Sequence, residues 1–243
     1  IVNQKLDFKF NEVIFIDDGS TDDSFKKVSD FEKKETLPIK KIRLNSSSGG
    51  PSKARNLGIY HSKSDYIFFM DSDDYLENFC LSELIETSQK ESFPDYVVSL
   101  HNQVRKIDKK IIKKTNLCGI KNKPFSKKSF LQDYLQVYCK HTREYCLFEH
   151  CWGRLIKLSL IKSNYIFFDE TMNQLEDILF NCYVLKKSNN ICLVNKGLYN
   201  HVLYGSNTRL SSRSGENEKI IDDLNKVSLE LADLYLISST HKS

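Results

Sequence analysis

Three aspartates within four positions follow directly after an apolar segment of the chain. The segment is Tyr66–Met70, and the acids are Asp71, Asp73 and Asp74. Carboxylates this close repel one another, and burying them without a partner would cost several kcal/mol. Either they end a strand at the surface, solvate the turn and cap the next helix, or they share a divalent cation that cancels their repulsion and takes part in chemistry.

Two further acidic pairs occupy comparable positions. Asp17 and Asp18 follow a short apolar strand predicted over Glu12–Ile16, while Glu176 and Asp177 open a predicted helix. Acids in a first helical turn commonly do no more than complement the helix dipole. Position alone therefore assigns the second pair no chemical role.

The order of the predicted elements explains how these acids can come together. Four strands alternate with helices, and they are predicted over Glu12–Ile16, Ile39–Leu44, Tyr66–Met70 and Tyr96–Leu100. Helices are predicted from Ser20 or Thr21 to about Glu35, from Pro51 to about His61 and over Phe79–Glu91. Such alternation predicts an α/β fold with a mainly parallel sheet flanked by helices. Because ligands bind beyond the carboxyl ends of such strands, we expect Asp17–Asp18 and Asp71–Asp74 to face one crevice.

The second half of the chain is less regular. Helices are predicted over about Lys127–Cys139, Arg154–Ser163 and Gln174–Lys187, and short strands over Ile191–Val194 and Leu198–Val202. Apolar residues at helical spacing predict a last helix within Gly215–Ile237. We therefore divide the chain into a first half at 1–100, a second half at 101–210 and a helical segment at 211–243.

Composition narrows the class of protein. Of the 243 residues, 40% are hydrophobic and 28% are charged, as is ordinary for a globular protein. A net charge of +4, with no interleaving of aromatic and basic residues, argues against nucleic-acid binding. Seven cysteines without a CxxC pair favour a reducing, cytoplasmic location over a disulfide scaffold or zinc knuckle. No apolar stretch reaches the length of a membrane span.

Positive charge is concentrated in one segment. Ten Lys and Arg residues and one acid, Asp108, lie between Arg105 and Lys128. Such a segment is most simply a solvated hairpin or loop. The alternative is a basic face toward anionic lipid or a phosphorylated acceptor, which would bring the protein to the inner face of the cell membrane.

Three segments, taken in order, resemble the family 2 glycosyltransferases of the GT-A fold. They are "VIFIDDGSTDDS", "GGPSKARNLGIYHSKSDYIFFMDSDDYL" and "LEDILFN", and their spacing and strand context match that family. The resemblance is close from residue 12 to about 90 and looser from Trp152 to Thr208. It implies an inverting enzyme of the type that builds bacterial surface polysaccharide, with a nucleotide-sugar-binding half at 1–100 and an acceptor-binding half at 101–210. The family's first strand has no counterpart here, so we expect an N-terminal strand to be missing.

The resemblance implies roles at the donor. Asp18 matches the residue that accepts the N3–H group of uracil, with a helix-capping acid as the alternative. The helix start at Pro51 would face phosphate, and Arg55 would either add charge there or form a surface salt bridge. Asp71, Ser72 and Asp73 match the DxD motif. Asp73 would be the direct ligand of Mn²⁺ or Mg²⁺, with Asp71 and Ser72 near the ribose and the metal shell. At most two protein carboxylates, completed by phosphate and water, suit such a cation.

The resemblance also implies roles at the acceptor. Asp177 matches the general base that removes the proton of the acceptor hydroxyl, and Glu176 would orient the acceptor or brace the helix. Trp152 would either stack on an acceptor sugar or belong to the core. His201 lies where some relatives carry a polar residue near the diphosphate, and a structural histidine is the favoured interpretation.

The predicted function is therefore hexosyl or N-acetylhexosaminyl transfer from a UDP-sugar to a glycan or lipid-linked glycan. Two alternatives stay open. Haloacid-dehalogenase-like phosphatases also place D-x-D after an apolar strand, although Tyr75 stands where their motif has Thr or Val. A non-catalytic module that binds nucleotide sugars would not need Asp177. The sugar, the acceptor, the linkage and the oligomeric state are not determined by the sequence.

Overall fold

The computed structural model describes residues 3–4, 12–35, 37–114, 123–127, 129–131, 149–172, 174–204 and 217–239. Nine strands lie within these ranges: β1 Val13–Asp17, β2 Ile39–Arg43, β3 Tyr66–Phe68, β4 Tyr75–Leu76, β5 Tyr96–Arg105, β6 Ile111–Lys114, β7 Lys123–Ser126, β8 Arg154–Lys157 and β9 Asn190–Leu203. The helices are α1 Ser24–Glu32, α2 Pro51–His61, α3 Cys80–Lys90, α4 Leu158–Ser163, α5 Glu176–Lys187 and α6 Asn217–Ser239. The first half alternates strands and helices as predicted.

The described strands form two sheets. β1 and β2 pair in parallel as a two-stranded sheet. The other seven form a mixed sheet in the order β3-β8-β5-β9-β4, with β6 on β5 and β7 on β9. Within this larger sheet, only the pairing of β5 with β9 is parallel. β8, for example, lies between β3 and β5 and runs antiparallel to both. The α/β class is confirmed, but the larger sheet is less parallel than expected.

Helices cover both faces of the larger sheet. Alternate residues of β5 point to opposite sides, so Tyr96, Val98 and Leu100 join a core cluster with residues of α2, α4, α5 and α6. Val97 joins a second cluster with residues of α3. Because both faces are covered, the first nine residues of β5 are buried or half-buried. This strand is the central one of the larger sheet.

Two predictions about the second half need correction. Arg154–Ser163 is a helix only from Leu158 onward, because Arg154–Lys157 forms β8 and hydrogen-bonds to strands on both sides. The two strands predicted over Ile191–Val194 and Leu198–Val202 are one strand, β9, which shifts register beside Ser99 and Leu100 rather than breaking. The division of the chain at residue 100 stays a prediction, and β5 spans that position.

Other predictions are confirmed or lie outside the description. α6 agrees with the predicted last helix and packs on α5, where Lys186 pairs with Glu230 and Asp233. Residues 129–131 of the helix predicted over Lys127–Cys139 are helical, but most of that helix falls outside the described residues. None of the helices in the described ranges is long and apolar enough to cross a bilayer.

Candidate active site

The turn after β1 is held by Asp17. One carboxylate oxygen of this buried residue accepts the Ser20 N–H at 3.0 Å, and the other pairs with Arg43 Nε at 3.1 Å. Gly19 follows with a φ of +72°, and a Cβ added there would lie 2.4 Å from the backbone of Ser46. Only glycine fits this approach. Asp17 thus supports the turn, and the turn packs directly on the loop between β2 and α2.

Asp18 lies against that same loop. Its carboxylate accepts the Ser48 N–H at 3.0 Å and the Ser47 hydroxyl at 3.1 Å. The loop leads into α2, which begins with Gly50 as the N-cap and Pro51 in the first turn, where proline's missing N–H does no harm. The structure therefore places Asp18 beside the start of α2, and a carboxylate with two bonds keeps acceptor capacity.

Arg55, on the second turn of α2, joins acids that are far apart in the sequence. Its guanidinium donates to Asp71 Oδ1 at 3.2 Å, to Glu176 Oε1 at 3.1 Å and to Asp177 Oδ1. The side chain is 12% exposed, and its guanidinium carbon lies 5.3 Å from the ring centroid of Phe168. We call Arg55, Asp71, Glu176 and Asp177 the arginine centre. One buried cation thereby brings the DxD motif and the acidic pair of α5 into a single site.

Asp177 is fixed from two sides. Its Oδ2 accepts the Cys151 N–H at 3.2 Å, opposite the Arg55 contact on Oδ1. Leu175, immediately before α5, has a φ of +65°, which turns the chain so that both acids fall in the first turn. Burial raises the pKa of Asp177 to about 6, against the opposing charge of Arg55. A carboxylate with this pKa is ionised at neutral pH and is a stronger base than an exposed aspartate.

The DxD segment is anchored through Tyr199. The Asp71 N–H donates to the Tyr199 hydroxyl at 3.1 Å, and that hydroxyl donates to Asp74 Oδ2 at 2.7 Å. Asp74 Oδ1 also accepts the Val202 N–H at 2.7 Å. The prediction that Asp74 caps the next helix is therefore wrong, since β4 intervenes before α3 and the carboxylate faces β9. Burial raises the pKa of Asp74 to about 6, against these two hydrogen bonds.

Asp73 and Ser72, by contrast, are exposed at the tip of the turn, and Asp71 is half-buried. In the part of the chain that the structure describes, no three His, Cys, Asp or Glu side chains converge in a way that would hold a metal ion. Asp71 and Asp73 still offer the hard carboxylate oxygens that Mg²⁺ and Mn²⁺ prefer. This donor set fits a cation whose other ligands come from a bound diphosphate and water.

Trp152 does not offer a ring face to an acceptor. It is 4% exposed, and its indole lies between His150 at 4.3 Å and Tyr199 at 4.2 Å, both nearly parallel to it. With both faces covered, the core interpretation is correct and the acceptor-stacking prediction is wrong. Trp152 thus packs on Tyr199, whose hydroxyl contacts Asp71 and Asp74 of the DxD segment.

Histidines surround this stack. His101 lies edge-on to Trp152 at 5.1 Å, and His201 is tilted against it at 5.3 Å. Burial lowers the pKa of His101 to about 4 and that of His150 to about 2, so both rings are neutral. His201 packing here agrees with its structural interpretation. Sequence reasoning missed Tyr199 and His150. Leu198, Tyr199 and Asn200 are all buried in β9, so no alternation along this strand singles out Tyr199.

Comparison with known proteins gives a family and a fold. The family model "Glycosyl transferase family 2" matches residues 1–154. The chain is 24% identical over 225 residues to the poly(ribitol-phosphate) β-N-acetylglucosaminyltransferase TarS of Staphylococcus aureus, covering 92% of this chain and 36% of that protein. It is 30% identical over 190 residues to a poly(ribitol-phosphate) β-glucosyltransferase of Bacillus spizizenii, covering 77% of this chain and 27% of that one.

A solved structure agrees with the fold. The crystal structure of S. aureus TarS residues 1–349 in complex with UDP-GlcNAc superposes with a TM-score of 0.77 at 21% identity, covering 98% of this chain and 64% of that one. The expected GT-A fold is thereby confirmed. The chain spans about a third of the length of the two curated relatives above.

Proposed function

Because the chain belongs to glycosyl transferase family 2, we propose that it transfers a sugar from a UDP-sugar to a hydroxyl of a glycan or lipid-linked glycan, with inversion. The observation that carries the proposal is the arginine centre. A transferase must hold the leaving diphosphate and the acceptor's base on either side of one anomeric carbon. Arg55 links the motif suited to the first task with the pair suited to the second.

Asp177 is the proposed general base. It takes the proton of the acceptor hydroxyl as the oxygen forms its bond to the anomeric carbon. The bond from that carbon to the diphosphate oxygen breaks on the opposite face, and UDP leaves with the bonding electrons. Displacement from the opposite face inverts the anomeric centre. Glu176, on the same turn and the same arginine, orients the acceptor or braces α5.

The donor would be held at the strand ends of the first half. Asp18 accepts the uracil N3–H, and the N–H groups at the start of α2 face phosphate. Asp18 contacts the loop that leads into α2, and this closeness supports its role at the donor. Ser72 is assigned to the ribose and the metal shell. Arg55 adds positive charge beside Asp71, where the diphosphate would lie.

A divalent cation completes the proposal. Asp73 would be its direct ligand and Asp71 its second carboxylate, and the exposure of Asp73 leaves it accessible to the ion. When bound, Mn²⁺ or Mg²⁺ neutralises negative charge on the departing diphosphate. The family assignment removes the phosphatase alternative. The remaining alternative is a module that binds the donor without turnover. Such a module would not need Asp177.

The relatives guide the choice of substrates. Their names specify N-acetylglucosamine and glucose as the sugars and poly(ribitol-phosphate) as the acceptor. We therefore include UDP-GlcNAc and UDP-glucose as first donors and a bacterial surface polymer as the acceptor class.

The buried cysteines Cys80, Cys151, Cys182 and Cys192 form no disulfide with one another, consistent with the proposed reducing cytoplasm. Contact of the segment 105–128 with a membrane is likewise part of the proposal.

A thermal-shift and turnover screen tests the function. The protein is incubated with UDP-GlcNAc, UDP-glucose or UDP-galactose, each with Mn²⁺ or with chelator, and both the melting temperature and UDP release are measured. We expect stabilisation by at least one UDP-sugar and metal-dependent UDP release. Asp73→Asn should lose on the order of 10²-fold in rate while melting normally. Full activity of that variant in excess chelator would contradict the metal role, and donor binding without any UDP release would favour the binding module.

A further inference from the structure

The hairpin of β5 and β6, residues 105–114, is a surface unlike the rest of the chain. It projects where β5 ends its pairing with β9 at Arg105 and Leu203. The turn is closed by the Arg105 N–H, which donates to the Lys110 carbonyl at 2.9 Å. We call this segment the basic hairpin.

The basic hairpin carries more positive charge than the net excess of the whole chain. Its ten residues contain six Lys and Arg and a single acid, Asp108. That is +5 for the hairpin, which leaves −1 for the remainder of a chain whose total is +4. Asp108 pairs with Arg105 at 3.7 Å. Within the described ranges, the lysines beyond Asp108 have no acidic partner; these are Lys109, Lys110, Lys113 and Lys114.

Apolar side chains stand exposed among these charges. Ile107, in the turn, is 88% exposed, and Ile112 and Ile111 on β6 are 47% and 36% exposed. At the base of the hairpin, Lys106 Nζ lies 3.9 Å from the ring centroid of Tyr204. Aromatic rings with a polar end favour the boundary between water and lipid. A fully exposed isoleucine at a turn contributes nothing to the core.

We propose that the basic hairpin docks on an anionic lipid bilayer, with Ile107 entering the headgroup region. Unpaired lysines are attracted to an anionic leaflet, and exposed isoleucines gain by leaving water. A soluble polyanion would satisfy the lysines but would leave Ile107 and Ile112 in water. A bilayer takes both kinds of side chain, so the combination favours lipid.

Docking there would bring the candidate active site close to the membrane. Val104 of β5 pairs with Val202 of β9, and the Val202 N–H holds Asp74 of the DxD segment. The hairpin and the acidic motif are therefore connected through two adjacent strands. The docking specifies the membrane contact that the proposed function includes, and only the consequence for the active site rests on the proposed sugar transfer. The docking itself requires no donor and no turnover.

Vesicle sedimentation tests the proposal without reference to activity. The protein is mixed with vesicles of phosphatidylcholine alone or of equal parts phosphatidylcholine and phosphatidylglycerol. We expect binding to the anionic vesicles only, and its loss in about 0.5 M NaCl, where charges are screened. The double variant Lys109→Glu, Lys110→Glu should weaken binding by at least about tenfold. Ile107→Ser should weaken it by about fivefold, since one apolar contact is lost.

Two matched variants serve as controls. Lys26→Glu, Lys27→Glu makes the same charge change on exposed positions of α1, and Leu229→Ser removes a 70%-exposed apolar side chain of α6. Both should bind as the unmodified protein does. An equal loss with the α1 variant would mean unspecific attraction and overturn the proposal. Absence of vesicle binding would also overturn it, and binding of long-chain polyphosphate that Ile107→Ser leaves unchanged would assign the hairpin to a soluble polyanion instead.

Discussion

The arginine centre and the basic hairpin differ in how far their cations are buried and in how many acidic partners those cations have. In the centre, one cation that is 12% exposed contacts three carboxylates. In the hairpin, six cations accompany one acid, which pairs with Arg105, and five of the six are exposed. A buried charge is tolerated only with partners, whereas an exposed one is stabilised by solvent and screened by salt. Charge that is paired inside a protein can organise a site, and charge left unpaired outside is available to a partner.

Replacing Asp177, the proposed base of the arginine centre, should give the largest effect. Asp177→Asn keeps the size of the side chain and most of its hydrogen bonding but loses basicity, so turnover should fall by about 10²–10⁴-fold. Donor affinity, measured by thermal shift, should stay nearly unchanged. Glu176→Gln is the matched comparison and should retain more activity. Near-normal transfer by Asp177→Asn, or a product with retained anomeric configuration, would remove Asp177 from the role.

Removing the Arg55 cation from the arginine centre should lower the stability of the fold as well as the rate of transfer. Arg55→Met leaves three carboxylates facing one another without their partner, which should cost about 3–5 kcal/mol in the free energy of unfolding. Urea denaturation measures this loss. If Arg55→Met unfolds at the same urea concentration as the unmodified protein, the three contacts do not stabilise the fold.

The rate of transfer should fall at acidic pH. A base must be ionised to accept a proton, and burial raises the pKa of Asp177 to about 6. We therefore expect kcat/KM to fall about tenfold for each pH unit below that value. An aspartate with an ordinary pKa of about 3.9 would stay active two units lower. A pH profile measured at constant ionic strength decides between them, and activity unchanged down to pH 5 would exclude Asp177 as the titrating group.

The smallest effect is expected in the hairpin. Lys109→Met removes one exposed charge that has no acidic partner within the described residues, so the free energy of unfolding should change by no more than about 0.5 kcal/mol. It is the stability counterpart of Arg55→Met, because both replace a long cationic side chain with methionine. A loss above 1 kcal/mol, roughly twice that bound, would show that the hairpin lysine has a structural partner after all.

Local signals in the sequence were sufficient for part of the site. The apolar run into Asp71 ends a strand, Pro51 starts α2 and Asp177 lies in the first turn of α5, each as expected. Each depends on neighbours a few residues away, which a sequence displays directly. The α/β class followed from the same local patterns.

Contacts between distant segments were not predictable in this way. The partner of Asp74 is Tyr199, 125 residues further on, and nothing near Asp74 indicates that a hydroxyl will meet it. Trp152 forms an isolated β-bridge with Phe69. The two rings that stack on its indole, those of His150 and Tyr199, come from different segments of the chain. Arg154–Lys157 is a strand because two strands flank it, which overrides local propensity.

The span of the Arg55–Asp177 contact has a consequence during synthesis. The two residues are 122 positions apart, so at the usual pace of translation Asp177 is added roughly 6–24 s after Arg55. In that interval β5 also lacks β9, its parallel neighbour. The nascent chain therefore carries an uncovered strand edge and an arginine without its later partners until the second half emerges. We expect this stage to be the one at which a chaperone is most useful.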